Sequence, residues 1–178
     1  MRAGIAVLAL VLALSPAMAA PLATMPVKLK VGDAAPQFSR TDLLGKNFDL
    51  KAQRGKIVLI DFWASWCAPC MIEIPHLSRL QNQYGGRGLQ IVGIAMDDSE
   101  AVTRQTMAKT AFSYPVVLGD AKFGNLYGGV LGLPLQMLVG RDGKILAIWS
   151  GEVTEAVLDK AITAALAKSG GDRRRHDP

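Results

Sequence analysis

Cys67 and Cys70 are the only thiols in the 178-residue chain, and Ala68 and Pro69 stand between them. Residues three apart on a helix share a face, so the two sulfurs can form and break a bond with each other. In that chemistry one thiolate attacks a foreign disulfide, and the second thiol resolves the mixed disulfide that results. Upstream, Ile57-Val58-Leu59-Ile60 is a short apolar run without alternation, as in a strand covered on both faces. Asp61 breaks the run with a carboxylate, a group seldom buried without a reason. Downstream, Ile74, Leu77, Leu80 and Tyr84 recur at helical spacing. The thiols therefore stand where a buried strand hands over to a helix N-terminus, whose free N–H groups and dipole favour a thiolate. Cys67, at the helix start, is expected to be the more exposed nucleophile, with Cys70 resolving. The competing uses are a structural disulfide or half of a zinc site. Zinc asks for further ligands, and His76 and His176 are the only histidines. So small a loop adds little closure entropy, and a single close-spaced pair favours redox chemistry over stapling.

Several segments resemble the thioredoxin fold and, within it, the TlpA/ResA-like periplasmic thiol-disulfide oxidoreductases. They are Gly32-Asp33-Ala34-Ala35-Pro36-Gln37-Phe38, Asp42-Leu43-Leu44-Gly45, Gly55-Lys56, Phe62-Trp63-Ala64-Ser65-Trp66-Cys67-Ala68-Pro69-Cys70, Glu73 with Pro75, and Gly132-Leu133-Pro134. The resemblance covers residues 31–168 and implies a catalytic set of Cys67, Cys70, Asp61 and Glu73. Asp61 matches the buried acid of thioredoxins, where many TlpA-like proteins carry Asn. Desolvation would raise its pKa and let it take the Cys70 proton. A lone helix glutamate is ordinarily solvated, but Glu73 matches the family's active-site glutamate, whose charge disfavours a thiolate nearby. Pro134 matches the family's cis-proline opposite the disulfide. The backbone of Leu133 before it would pair with a bound peptide as an added strand. Trp66 is expected to shield Cys67 and offer an apolar contact surface, whereas Trp63 could equally be core and His76 lies on the helix surface. Two departures stand out: Leu135-Gln136-Met137 replaces a small hydroxyl residue and a phenylalanine, and Gly128-Gly129 lengthens the preceding loop. Both are expected to bear on substrate choice.

The elements that must position these groups follow in order. Ala35–Phe38 and Asn47–Leu50 are expected as two short strands around the turn Asp42–Lys46. The central strand leads to a helix from Cys67 to about Tyr84, which Pro75 should kink and Gly85-Gly86 should end. A second buried strand spans Leu89–Ala95. Asp97-Asp98-Ser99 offers an N-cap to a helix over Glu100–Thr110. Val116–Leu118 is extended, and Asp120–Tyr127 forms a short helix. Leu135–Val139 and Lys144–Trp149 make a hairpin about Gly140–Gly143. Thr154 caps a last helix with Val157, Leu158, Ala161, Ile162, Ala165 and Leu166 on its apolar face. A hairpin followed by β-α-β-α-β-β-α predicts an α/β fold, a mixed central sheet with helices on both faces. With the resemblance, that is a thioredoxin fold with an N-terminal β-hairpin extension.

Met1-Arg2, an apolar stretch to Leu14 and Ala17-Met18-Ala19 read as a secretory signal peptide over residues 1–19. The apolar stretch is short of the roughly 20 residues of a membrane span, although an uncleaved anchor stays open. No cysteine follows it to carry a lipid. Residues 20–30 read as an irregular lead-in and 169–178 as a disordered basic tail. The net charge of +5 draws on Arg173, Arg174 and Arg175 in that tail, which reads as solvated chain rather than a nucleic-acid surface. Export to the periplasm follows.

The expectation is thus a monomeric enzyme, with the Cys67–Cys70 pair and no added cofactor or metal. It would reduce protein disulfides with electrons from a membrane-embedded thiol donor, as the resemblance implies. Ala68-Pro69 brings neither charge nor imidazole, which points to a reductant. The resemblance suggests a client in cytochrome c maturation or a similar periplasmic protein. The alternative is a copper- or haem-delivery chaperone using the two thiolates as ligands, with Met71 and His76 nearby. A peroxidase is disfavoured, because Ala64 stands where such enzymes carry threonine three residues before the cysteine.

Overall fold

Along the central strand β3 (Ile57–Trp63), every residue is buried, so its two faces must both be covered. In the computed structural model, which describes residues 28–168, Ile57, Leu59 and Trp63 enter one apolar cluster while Val58, Ile60 and Phe62 enter another. β4 (Leu89–Ala95) lies parallel to β3, and β5 (Val116–Leu118) parallel to β4. On the other side, β6 (Leu135–Val139) runs antiparallel to β3, and β7 (Ile145–Ser150) antiparallel to β6. The five-stranded order is β5-β4-β3-β6-β7. This is the expected thioredoxin fold, a mixed sheet with helices on both faces.

The first cluster joins the sheet to α1 (Ala68–Tyr84) and α4 (Glu155–Lys168) through Ile74, Leu77, Leu80, Leu158 and Ile162. The second packs α3 (Ala121–Leu126) and an N-terminal hairpin against the opposite face, with Phe38, Phe48, Phe62, Phe123 and Tyr127 in ring contact. The Tyr127 hydroxyl also donates to the Pro36 carbonyl at 2.6 Å. α2 (Glu100–Lys109) buries only Thr103.

Several local expectations change. The hairpin pairs β1 (Ser39–Thr41) with β2 (Asn47–Asp49), so its first strand starts after Phe38. Pro36 has no N–H to give a ladder, and Ala35 and Phe38 are core residues instead. As expected, α1 runs with Pro75 inside it. The chain then continues as a 3-10 turn over Gly85–Arg87, and Gly88, at φ +101°, makes the left-handed reversal expected of Gly85-Gly86. In α4, Val157 stays 45% exposed, because Leu158 and Ile162 set the buried stripe. Thr154 precedes α4 and accepts the Val157 and Leu158 amides at its carbonyl. The signal-peptide assignment and the basic tail lie outside the described residues, as does most of the lead-in. Among the described residues, no helix is long and apolar enough to cross a membrane.

Candidate active site

The strand β3 delivers the chain to α1 through Ala64, Ser65 and Trp66. Cys67 is the N-cap, in extended conformation, and its Sγ accepts the Cys70 amide at 3.3 Å. Pro69 sits in the first helical turn, where a missing N–H leaves no bond unmade. Cys67 and Cys70 are joined as a disulfide with their Cα atoms 5.3 Å apart. Both are buried, at 5% and 2% exposure, so the expected contrast between an open and a hidden cysteine is small. Trp66, beside them, is 69% exposed and forms an apolar rim, whereas Trp63 is wholly buried in the core. Ala64 is also buried and offers no hydroxyl.

The loop is held from below by a residue read only as part of a helix cap. Asp97 accepts the Ser65 amide at 2.9 Å and the Ser65 hydroxyl at 2.7 Å on Oδ1, and the Thr103 hydroxyl at 2.9 Å on Oδ2. The cap of α2 is Ser99, whose side chain accepts from Val102. The position of Asp97 at the end of β4, next to the end of β3, was the available signal for a loop anchor.

Asp61 falls on the first-cluster face of β3, the face that α1 covers. It is opposite Gln136 of β6 and Gly93 of β4. Glycine at 93 is a matter of room: a Cβ there would lie 3.0 Å from Trp63 Nε1 and 3.3 Å from Tyr114 Cε2. Asp61 and Glu73 are both buried. Gln136 connects them, because its Nε2 donates to Glu73 Oε2 at 2.9 Å and to Asp61 Oδ1 at 3.3 Å. The other Glu73 oxygen accepts the Val153 amide at 2.8 Å. Burial pushes the Asp61 carboxyl from 3.8 up to about 7; the Gln136 bond opposes that rise and the Glu73 charge adds to it. Burial likewise raises Glu73, against the Val153 bond and with the charge of Glu152. The Tyr114 phenol is pushed well above its ordinary value by burial and by both carboxylates.

Gln136 is therefore not simply a substrate-choosing residue of a departed motif. Its side chain is fully buried and faces the acids, since cross-strand partners on adjacent strands point to the same side of the sheet. Leu133 packs on both clusters, including the one that holds Cys67 and Cys70. The Leu133–Pro134 bond is cis, as expected, and the Pro134 carbonyl accepts the Gly151 amide at 2.9 Å. His76 is half-buried on α1. Among the described residues, no three His, Cys, Asp or Glu side chains gather as a metal-ligand set.

A family model described as AhpC/TSA matches residues 31–148. The thiol-disulfide oxidoreductase ResA of Bacillus thuringiensis subsp. konkukian is 33% identical over 135 residues, 75% of this chain and 77% of its own. ResA of Bacillus subtilis is 30% identical over 128 residues, 71% of each chain. Among solved structures, a thiol:disulfide interchange protein DsbE of Chlorobium tepidum superposes with a TM-score of 0.74 at 32% identity, covering 78% of this chain and 99% of that one. The chain belongs to the AhpC/TSA family and, within the thioredoxin superfamily, is a ResA-like thiol-disulfide oxidoreductase.

Proposed function

We propose that the chain is an exported, monomeric reductant of specific periplasmic protein disulfides, with a client in cytochrome c maturation or a similar route. The observation that carries this reading is a disulfide at the N-terminus of α1, the helix that bears buried Glu73 and covers the sheet face of buried Asp61, two carboxyls with no cationic partner among the described residues. Negative charge under the pair disfavours a thiolate, and a pair that holds its protons tightly gives up electrons more readily in exchange. Export rests on Met1-Arg2, the apolar stretch and Ala17-Met18-Ala19.

In the cycle, Cys67 loses its proton and its sulfur attacks the client disulfide, and one client sulfur leaves and takes up a proton in place of the one Cys67 lost. The Cys70 thiol gives its proton to Asp61, and its sulfur attacks Cys67. The Cys67–Cys70 bond forms, and the second client sulfur leaves with the proton held at Asp61. Two electrons pass from the dithiol to the client, and a membrane-embedded thiol donor restores the dithiol. Glu73 tunes the site from the next turn of α1. Trp66 provides the apolar rim for the client, and Leu133, before the cis bond to Pro134, presents its backbone to it.

The test is the potential of the Cys67–Cys70 pair in glutathione or dithiothreitol buffers. A value near the thioredoxin end, about −250 mV or lower, supports a reductant, and one near −120 mV reverses the direction of transfer. Cys67→Ser abolishes turnover, and Cys70→Ser accumulates a mixed disulfide with the client. Full turnover in Cys67→Ser would remove the mechanism altogether.

A further inference from the structure

We propose that Gln136 is a positioning residue that joins Asp61 and Glu73 into one proton-holding unit. The unit, rather than Asp61 alone, borrows and returns the Cys70 proton during exchange. The inference rests on the reading of Asp61 as acceptor of that proton, and it adds the second carboxyl and the amide that ties the two.

One nitrogen serves both acids. The Gln136 amide has two hydrogens and points one at Glu73 Oε2 and one at Asp61 Oδ1, 2.9 and 3.3 Å away. Glu73 is fixed from its other side by the Val153 amide, so the arm between the acids has little freedom. Gln136 itself is fully buried. Its Oε1 finds no partner among the described residues, which leaves donation to the carboxylates as the bonding this side chain performs. Two acids within reach of one buried nitrogen cannot both ionise freely, since like charges at such range repel strongly where water is scarce. They hold one proton between them over a broad pH range, and the sites titrate as a pair.

Among the described residues, no cation bonds to either acid. On β3 the neighbour is the Trp63 indole, whose Nε1 is unpartnered among the described residues. β4 presents Gly93. Before β5 stands the Tyr114 phenol, neutral and also unpartnered among the described residues. After β7 comes Glu152, whose charge opposes ionisation of Glu73. On α1 the other ionisable groups at this end are Cys67, Cys70 and His76, whose charge acts on Glu155 of α4. The acids of α4 are engaged elsewhere, Glu155 with Arg79 and Asp159 with the Tyr84 hydroxyl.

The proton balance is closed. The unit gains the proton that Cys70 loses on attacking Cys67 and gives it to the departing client sulfur, so it ends the cycle as it began. The amide keeps whichever carboxylate is ionised supplied with a donor. Loss of a hydrogen bond to a buried charge is equivalent to about one pH unit or more.

Two measurements on the full chain test this. In the wild-type protein, the side-chain carboxyl carbons of Asp61 and Glu73 are followed by 13C NMR against pH. Each is expected to show two inflections that mirror those of its partner, and two independent single-step titrations would overturn the proposal. In Gln136→Met, near in size but without a donor, the pH at which resolution by Cys70 accelerates is expected to rise by about one unit. Met137→Leu, on the opposite sheet face, is expected to leave it in place. A folded, redox-active Gln136→Met with the wild-type pH profile refutes the positioning role. If Asp61→Asn kept the wild-type profile while the mirrored titration held in the wild type, the acceptor role would fail separately from the coupling of the two acids.

Discussion

Replacing Asp61 with asparagine should make the oxidised protein more stable in alkaline solution, although it alters the site. The carboxyl is 2% exposed, and its pKa is pushed from 3.8 to about 7, chiefly by burial. The folded state therefore keeps a proton that the unfolded chain releases. The sign follows: stability is at its full value below pH 3.8, declines as pH rises through about 7, and is lowest beyond it. A shift of roughly three units at ~1.4 kcal/mol each is about 4 kcal/mol between the two limits. The asparagine amide cannot ionise, yet its oxygen still accepts from Gln136. The variant should thus gain about 2–4 kcal/mol over wild type at pH 8.5, or roughly 10 °C in Tm for a domain of this size. Near pH 4 the gain should vanish. Urea unfolding of both oxidised proteins from pH 4 to 8.5, with unchanged m-values, measures this directly. A flat wild-type profile over that range would refute the assignment of Asp61 as an acid held neutral by burial. A variant that kept the wild-type slope would shift that role to Glu73.

Three further changes separate support from chemistry. Trp66→Ala removes a ring that is 69% exposed. Stability should stay within about 0.5 kcal/mol, while stopped-flow reduction of a protein client slows several-fold and reduction of a small aliphatic disulfide does not. Asp97→Ala deletes the acceptor for Ser65 N, Ser65 Oγ and Thr103 Oγ1. A loss of about 3 kcal/mol in urea unfolding is expected, with raised hydrogen exchange at the Ser65 amide. Gly93→Ala forces a Cβ to within 3.0 Å of Trp63 Nε1. That overpacking should cost about 1–3 kcal/mol by thermal unfolding.

How far the sequence reached depended on whether a residue's neighbours were local. The β3–α1 junction is written in one stretch, because an apolar run, two cysteines and helical spacing follow one another without a gap. β4, α2, β5, α3 and the β6–β7 hairpin were legible for the same reason, to within a residue or two. The first hairpin strand was placed too early, because Phe38 reads as a strand residue whether it pairs or packs. Its place in the aromatic cluster is decided by Phe123 and Tyr127, far along the chain. Gly88 rather than Gly85-Gly86 makes the left-handed stop, since Gly85 remains right-handed at φ −55°. Composition cannot rank three nearby glycines.

The site shows the same division. The cysteines identify themselves, but Glu73 is an ordinary helix glutamate until Val153 and Gln136 arrive from two other segments. Gln136 stands out in the sequence only as part of a departure that bears on substrate choice, because its meeting with the acids depends on register. In β6 it sits opposite Asp61, and both lie on the sheet face that α1 covers. Its neighbours Leu135 and Met137 face the aromatic cluster instead. A slip of one residue in the β3–β6 pairing would turn the amide away from both acids and put Met137 beneath the helix. That slip would also bury the Gln136 amide among the aromatic rings with no carboxylate to accept from it, which is costly. Thus the register of β6 on β3 decides which side chain meets the buried carboxyls, and the polar pairing of Gln136 with them favours that register.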